Sequence, residues 1–186
     1  MDTALLSFSS DDKRPVKILF QDEARFGRIN EPVKCWAPKG LRPIVNKQFI
    51  REYIYVYATV CPMSGEVFSL ILPVCNTEAM SLFIDELSAY YKDFRVIVFM
   101  DKAGWHTSNE LVIAENVRKL HLPPYSPELN PAEHLWEHIR ENYFRNQMSD
   151  SLDNLEIKLM NVLNEVEADN ETIKKLTNFK WLYFYN

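Results

Sequence analysis

Two short apolar runs in this chain each end in an aspartate: VKILFQD over residues 16–22 and RVIVFMD over residues 95–101. Runs of this length, rich in β-branched and aromatic residues, read as buried strands. Neighbouring strands lie about 4.8 Å apart, so Asp22 and Asp101 at matching heights could share a metal ion. A single aspartate at a strand end is more often a turn or cap residue, and the pair gains meaning only with a third ligand.

Glu133 is the candidate for that ligand. It sits in LPPYSPELNPAEHLWEHIR, residues 122–140, where four prolines precede a helical pattern. Asn130 suits the N-cap and Pro131 the first helical position, which places Glu133 where a capping-box glutamate would stand. On a helical wheel Leu135, Trp136, Ile139 and Tyr143 form the inward face. Glu133 falls at the edge of that face, near Trp136 and Arg140, and can cap the helix while pointing toward a sheet. The overlapping HLWEH at 134–138 matches a zinc-peptidase pattern. His134 and His138, however, lie away from the apolar stripe, and little chain remains to supply a third zinc ligand. Trp105 and His106 directly follow Asp101, where a loop could meet substrate; a packed tryptophan beside a hydrogen-bonded histidine is the plainer alternative.

The elements that must position these residues follow from periodicity. REYIYVYATV (51–60) alternates, with Tyr53, Tyr55 and Tyr57 on one face, and pairs as an antiparallel hairpin with VFSLIL (67–72) across the turn CPMSGE. Residues 77–91 carry Met80, Phe83, Ile84, Leu87 and Tyr91 at helical spacing, with Asn76 or Thr77 as N-cap. A short helix is expected near 108–115, a strand near 117–122, and helices over about 131–146 and 152–168. The order β-β-β-α-β-α-β-α-α predicts an α/β domain with a mixed sheet covered by helices. Residues 1–15 read as a flexible N-terminal segment and 16–186 as one domain; the aromatic tail KWLYFYN is expected to pack on the core.

With 186 residues and 47% hydrophobic content, the chain can bury a single core. Its formal net charge of −5 excludes a general polyanion binder. Between Arg28 and Arg51, however, Arg28, Lys34, Lys39, Arg42, Lys47 and Arg51 face only Glu31, a candidate basic surface. Three cysteines without a CxxC pair read as reduced, mostly buried thiols in a cytosolic protein. No signal peptide or membrane span is indicated.

Taken together, FQDEARFGR, CWAPKG.RP, MDKAGWHTS and LPPYSPELNPAEHLW resemble the catalytic domain of DDE-type transposases, above all the bacterial insertion-sequence enzymes of the mariner-related superfamily, over residues 16–147. The resemblance implies an RNase H-like fold with helices on both faces of the sheet. It also implies that Asp22, Asp101 and Glu133 are catalytic ligands of two Mg²⁺ ions, for which Mn²⁺ can substitute. Carboxylates this close repel one another, so at least one should titrate high without a cation. Lys102 stands where relatives often show Asn, and a cation beside the metal site could weaken metal binding or contact a phosphate. The implied function is metal-dependent cleavage of transposon ends and strand transfer, in a bacterial cytoplasmic protein that joins the nucleoid when bound to DNA. The alternative is an inactive or truncated remnant that only binds DNA or protein. The implied partners are DNA, a second copy of the chain and a separate or missing helix-turn-helix part. Arg28, Lys39, Arg42, Lys47, Lys102, Trp105, His106 and Arg140 are the expected DNA-contacting residues.

Overall fold

A computed structural model of the chain describes residues 7–30, 32–179 and 182. β1 (Val16–Ile29) and β2 (Phe49–Val60) are joined by an irregular excursion, and β3 (Val67–Leu72) returns as a hairpin on β2. Helix α1 (Thr77–Tyr90) leads to β4 (Arg95–Met100), then the single turn α2 (Gly104–Thr107) and β5 (Val117–His121). A 3₁₀ turn (Pro127–Leu129) precedes α3 (Ala132–Ile139), which runs into a π-helical segment (Arg140–Phe144). Helices α4 (Leu152–Ala168) and α5 (Asn170–Thr177) complete the order.

The five strands form one mixed sheet in the order β3-β2-β1-β4-β5. β1 is antiparallel to β2 and parallel to β4, and β5 continues parallel beyond β4. Strand alternation sends successive side chains to opposite faces. Phe20, Ala24 and Phe26 of β1 join Ile54, Val56 and Ala58 of β2 against Leu135, Trp136, Ile139, Leu155 and Leu159. Leu19 and Tyr57 point the other way, with Val96 and Val98, onto Met80, Phe83, Ile84 and Leu87 of α1. The apolar stripe of each helix is thus buried on one side of the sheet, and helices cover both faces as expected.

Several expectations are corrected. β1 does not end at Asp22 but continues to Ile29, because β2 pairs with it almost to that point. The helix near 108–115 is absent: the helical turn lies earlier, at Gly104–Thr107. In the later stretch Val112 donates its backbone N–H to Ser81 Oγ of α1 at 3.1 Å, and a short segment carrying adjacent β-branched residues does not recover the cost of helix nucleation. The helix over 131–146 keeps regular α form only to Ile139, and α5 is an addition. Residues 7–15 pack rather than fray. Phe8 is buried with Ile97 and sits under Arg118, whose guanidinium is 4.4 Å from its ring centroid. Arg14 donates to the carbonyl of Lys92 at 2.7 Å. Cys61 is buried, Cys75 half-buried and Cys35 exposed, and all three are free thiols. Most of the tail KWLYFYN lies outside the described residues. Among the described residues no helix is long and apolar enough to cross a membrane.

Candidate active site

β1 and β4 run parallel in a register that pairs Val16 with Arg95 and Phe20 with Phe99. Two further steps along both chains reach Asp22 and Asp101. β4 has stopped at Met100, and Asp101 starts a turn by accepting the backbone N–H of Ala103 on Oδ1 at 2.8 Å. Strand pairing alone therefore sets the two aspartates side by side at the sheet's open end.

Asp22 shares the face of Phe20 and Ala24, toward α3. Trp136 Nε1 donates to its Oδ2 at 3.1 Å, and Glu133 lies one turn before Trp136 on the same side of the helix. Burial raises the Asp22 carboxyl to about 7, with the charges of Glu133 and Glu23 adding to the shift. The expectation that one acid of the set titrates high is met by this residue.

The helix is fastened to the strand by one side chain. Asn130 is buried and extended, with Oδ1 accepting the Ala132 N–H at 3.2 Å and Nδ2 donating to the Gln21 carbonyl at 3.1 Å. It opens α3 and ties it to the residue before Asp22. Its own N–H donates to Pro127 O at 2.8 Å, so the return bond of a capping box is not made. The Glu133 carboxylate stays exposed, without a hydrogen bond among the described residues, in the lining of a cleft of about 440 Å³ that Asp22, Asp101, Lys102, Tyr125 and Asn130 also line. Tyr125 holds a φ of 56°, in the left-handed region that costs a bulky residue energy, with its ring fully in solvent. Among the described residues, no three acidic, histidine or cysteine side chains stand close enough to grip one cation as they are.

On the opposite face of β1 is a feature that sequence reasoning missed. Glu23 accepts from Trp105 Nε1 at 3.0 Å and from His106 Nε2 at 2.8 Å, while His106 Nδ1 donates to Asp101 Oδ1 at 2.6 Å. Both ring nitrogens face carboxylates, so the imidazole is doubly protonated. Burial alone would lower its pKa, but the bonds to Asp101 and Glu23 outweigh burial and raise it to about 9. The His106 bond in turn holds the Asp101 carboxyl below its usual range. Asp101 Oδ2 carries no hydrogen bond among the described residues. The sequence pointed to a packed Trp105 beside a hydrogen-bonded His106 but not to Glu23 as their partner; alternation sends that acid to the face opposite Asp22, where only the fold supplies its partners.

The family description "DDE superfamily endonuclease" matches residues 17–156. The chain belongs to that family. It is 36% identical over 104 residues to the protein y4pE/y4sA of Sinorhizobium fredii, covering 55% of this chain and 77% of that one. Its fold is RNase H-like and matches the Mos1 transposase in two complexes. With the strand transfer complex the TM-score is 0.60 at 18% identity, over 87% of this chain and 53% of that one. With the mariner paired end complex with Mn it is 0.61 at 16% identity, over 88% and 56%. The chain therefore spans little more than half the length of the transposase chains it matches.

In this DDE chain the expected DNA-contacting residues fall into three groups. Lys39, Arg42 and Lys47 are exposed on the β1–β2 excursion, Lys102 is exposed and lines the cleft, and Arg140 is exposed at the end of α3, outside the cleft lining. Arg28 is spent: it donates to Glu52 at 2.6 Å and to the carbonyls of Ser149 and Asp150. His106 is fully buried and Trp105 half-buried, so His106 cannot touch DNA, and the plainer alternative of a packed Trp–His pair holds. The histidines of HLWEH stay clear of the cleft. His134 packs on Phe179, and His138 Nδ1 accepts from Asn142.

Proposed function

We propose that this chain is the catalytic domain of a DNA transposase that cleaves transposon ends and transfers the cut strands, with Asp22, Asp101 and Glu133 holding a pair of Mg²⁺ or Mn²⁺ ions. The observation that carries this reading is the convergence of three acids from β1, the end of β4 and the start of α3 on one cleft. The donor set suits a hard divalent cation, being all carboxylate oxygen. Burial, with the charges of Glu133 and Glu23 adding, disfavours the charged Asp22 carboxylate, a cost that a bound cation would offset, and Glu133 is free to turn its exposed side chain inward. When bound, such an ion pair activates the attacking oxygen and stabilises the leaving oxygen of an in-line phosphodiester displacement.

The chain's own residues do the rest. Trp136 and Asn130 fix Asp22 and the α3 helix against each other. The Glu23–His106 pair orients Asp101, which lines the cleft, through its Oδ1. Lys102, Arg140, Lys39, Arg42 and Lys47 offer charge to the DNA backbone. A helix-turn-helix part, on a separate chain or in additional sequence, would read the transposon ends, and two copies of the catalytic domain would pair them.

Asp22→Asn, Asp101→Asn and Glu133→Gln should each abolish Mg²⁺- or Mn²⁺-dependent nicking of DNA carrying the element's ends, assayed with a helix-turn-helix half added if the chain alone is silent. Full activity in any one of the three would sink the assignment.

A further inference from the structure

The loop between β5 and α3 is tied down at both ends, and each tie falls beside one of the two aspartates. At its start the Leu122 N–H donates to the carbonyl of Met100 at 2.9 Å, one residue before Asp101. At its end Asn130 Nδ2 donates to the carbonyl of Gln21 at 3.1 Å, one residue before Asp22. Pro123, Pro124 and Pro127 fix φ along the span between these ties. Ser126 closes it further: its Oγ donates to the carbonyl of Pro124 at 3.2 Å, and its own carbonyl accepts the Leu129 N–H at 3.1 Å. Few conformations are left to a loop held this way, and its middle is fixed relative to both aspartates.

Tyr125 is that middle, and the fold makes no use of its ring. Its φ of 56° is a left-handed conformation that glycine or asparagine adopts far more readily. Its side chain is fully exposed, and among the described residues the ring meets no other aromatic ring and no cation, nor does its hydroxyl form a hydrogen bond. Strain of this kind gathers at functional sites. Tyr125 lines the same cleft as Asp22, Asp101 and Glu133, and among the described residues it is the one aromatic side chain in that lining. A strained, solvated aromatic ring on a rigid loop beside three acids calls for a partner from outside the chain.

We infer that Tyr125 is a stacking platform for an unpaired base of the DNA strand that enters the cleft. Every base presents a flat π face, so an aromatic ring in water accepts any of them without regard to sequence. In an intact duplex those faces are covered by neighbouring bases, and the ring takes a base only once it has left the stack. Stacking holds that nucleotide beside the carboxylates, which makes Tyr125 a positioning residue that selects frayed ends and distorted sites over continuous duplex. The inference rests on the DNA-processing reading above.

The test uses the full chain in EDTA, where no cleavage occurs, with fluorescent duplexes of one sequence read by anisotropy. One duplex is fully paired, a second carries a central adenine opposite an abasic site, and a third is abasic on both strands there. Wild type should bind the unpaired adenine at least about 5-fold more tightly than either control, the margin expected of one stacked base. Tyr125→Asn should remove that margin, and its Tm should equal or exceed that of wild type, because asparagine accepts the left-handed backbone. Tyr125→Phe should keep the margin, as should Trp36→Ala, which removes an equally exposed ring outside the cleft lining. The stacking assignment falls if wild type shows no margin or binds none of the duplexes, or if Tyr125→Asn keeps the margin or melts lower. It falls too if Tyr125→Phe loses the margin, since the hydroxyl and not the ring would then be the contact. In each of these cases Mg²⁺- or Mn²⁺-dependent nicking by wild type would leave the nuclease reading standing. The expected margins in a chain that nicks no DNA under the conditions above would remove the nuclease reading and leave the platform.

Discussion

Replacing Asp22 by asparagine should make the protein more stable while disabling it. In the unfolded chain this carboxyl titrates near 3.8, and in the folded protein near 7. Between those values the folded state holds a proton that the unfolded state has released, so stability declines as pH rises from about 4 to about 7 and is level beyond. A tenfold change in proton affinity is worth about 1.4 kcal/mol, which puts the cost of the charged, buried carboxylate at no more than about 4 kcal/mol at pH 8. Relaxation and partial solvation reduce the recoverable part to about 2 kcal/mol. The amide keeps an oxygen for the Trp136 N–H and removes the charge that Glu133 and Glu23 oppose. For a chain of this size the gain is about 4–8 °C in Tm at pH 8, and it should vanish near pH 4, where the wild-type group is already protonated. Thermal melts by circular dichroism with EDTA present, at both pH values, read this directly. Adding Mg²⁺ should raise the wild-type Tm and move that of the Asn variant less. An Asn variant equal to or weaker than wild type at pH 8 would refute the claim that Asp22 is held against electrostatic strain.

His106→Gln removes the cation between two carboxylates and strands the buried Glu23, at a cost of about 3 kcal/mol near neutral pH. Because the histidine is raised from 6.5 to about 9 on folding, its contribution is complete below about pH 6.5 and lost as pH rises through about 9. Urea unfolding at pH 6 and pH 10 should show the wild-type advantage shrinking, and a pH-independent difference would count against an imidazolium at this position. Asn130→Ala loses both the cap bond to Ala132 and the tie to Gln21, and should destabilise the fold by about 1–2 kcal/mol. Nicking should fall further than stability alone explains, because α3 is then free to shift Glu133 against Asp22; unchanged activity per folded molecule would show that the tie does not position the helix.

Much of the site was legible because it depends on local regularities. Alternation in residues 51–60 and 67–72 predicts the hairpin, and the apolar runs before Asp22 and Asp101 predict the two strands that pair in parallel. Asn130 and Pro131 mark the start of α3 through backbone preferences that act within a few residues. The extension of β1 to Ile29 was not legible, since it depends on β2 arriving from beyond a long excursion to accept its hydrogen bonds. The expected short helix failed for the same kind of reason: a donor in one segment found its acceptor on α1.

The charged residues divide along this line most clearly. Sequence by itself determined which acids the chain could bring to the end of a mixed sheet, because strand period, helix period and cap chemistry are short-range. Only the tertiary structure decided which charges remain available there. Glu52 and two carbonyls use up Arg28, and Glu23 and Asp101 enclose His106. Arg25, Arg140 and Arg145 are left with aromatic faces and a carbonyl. Pairing between ions depends on which distant segments fold alongside one another, and no local pattern carries that information.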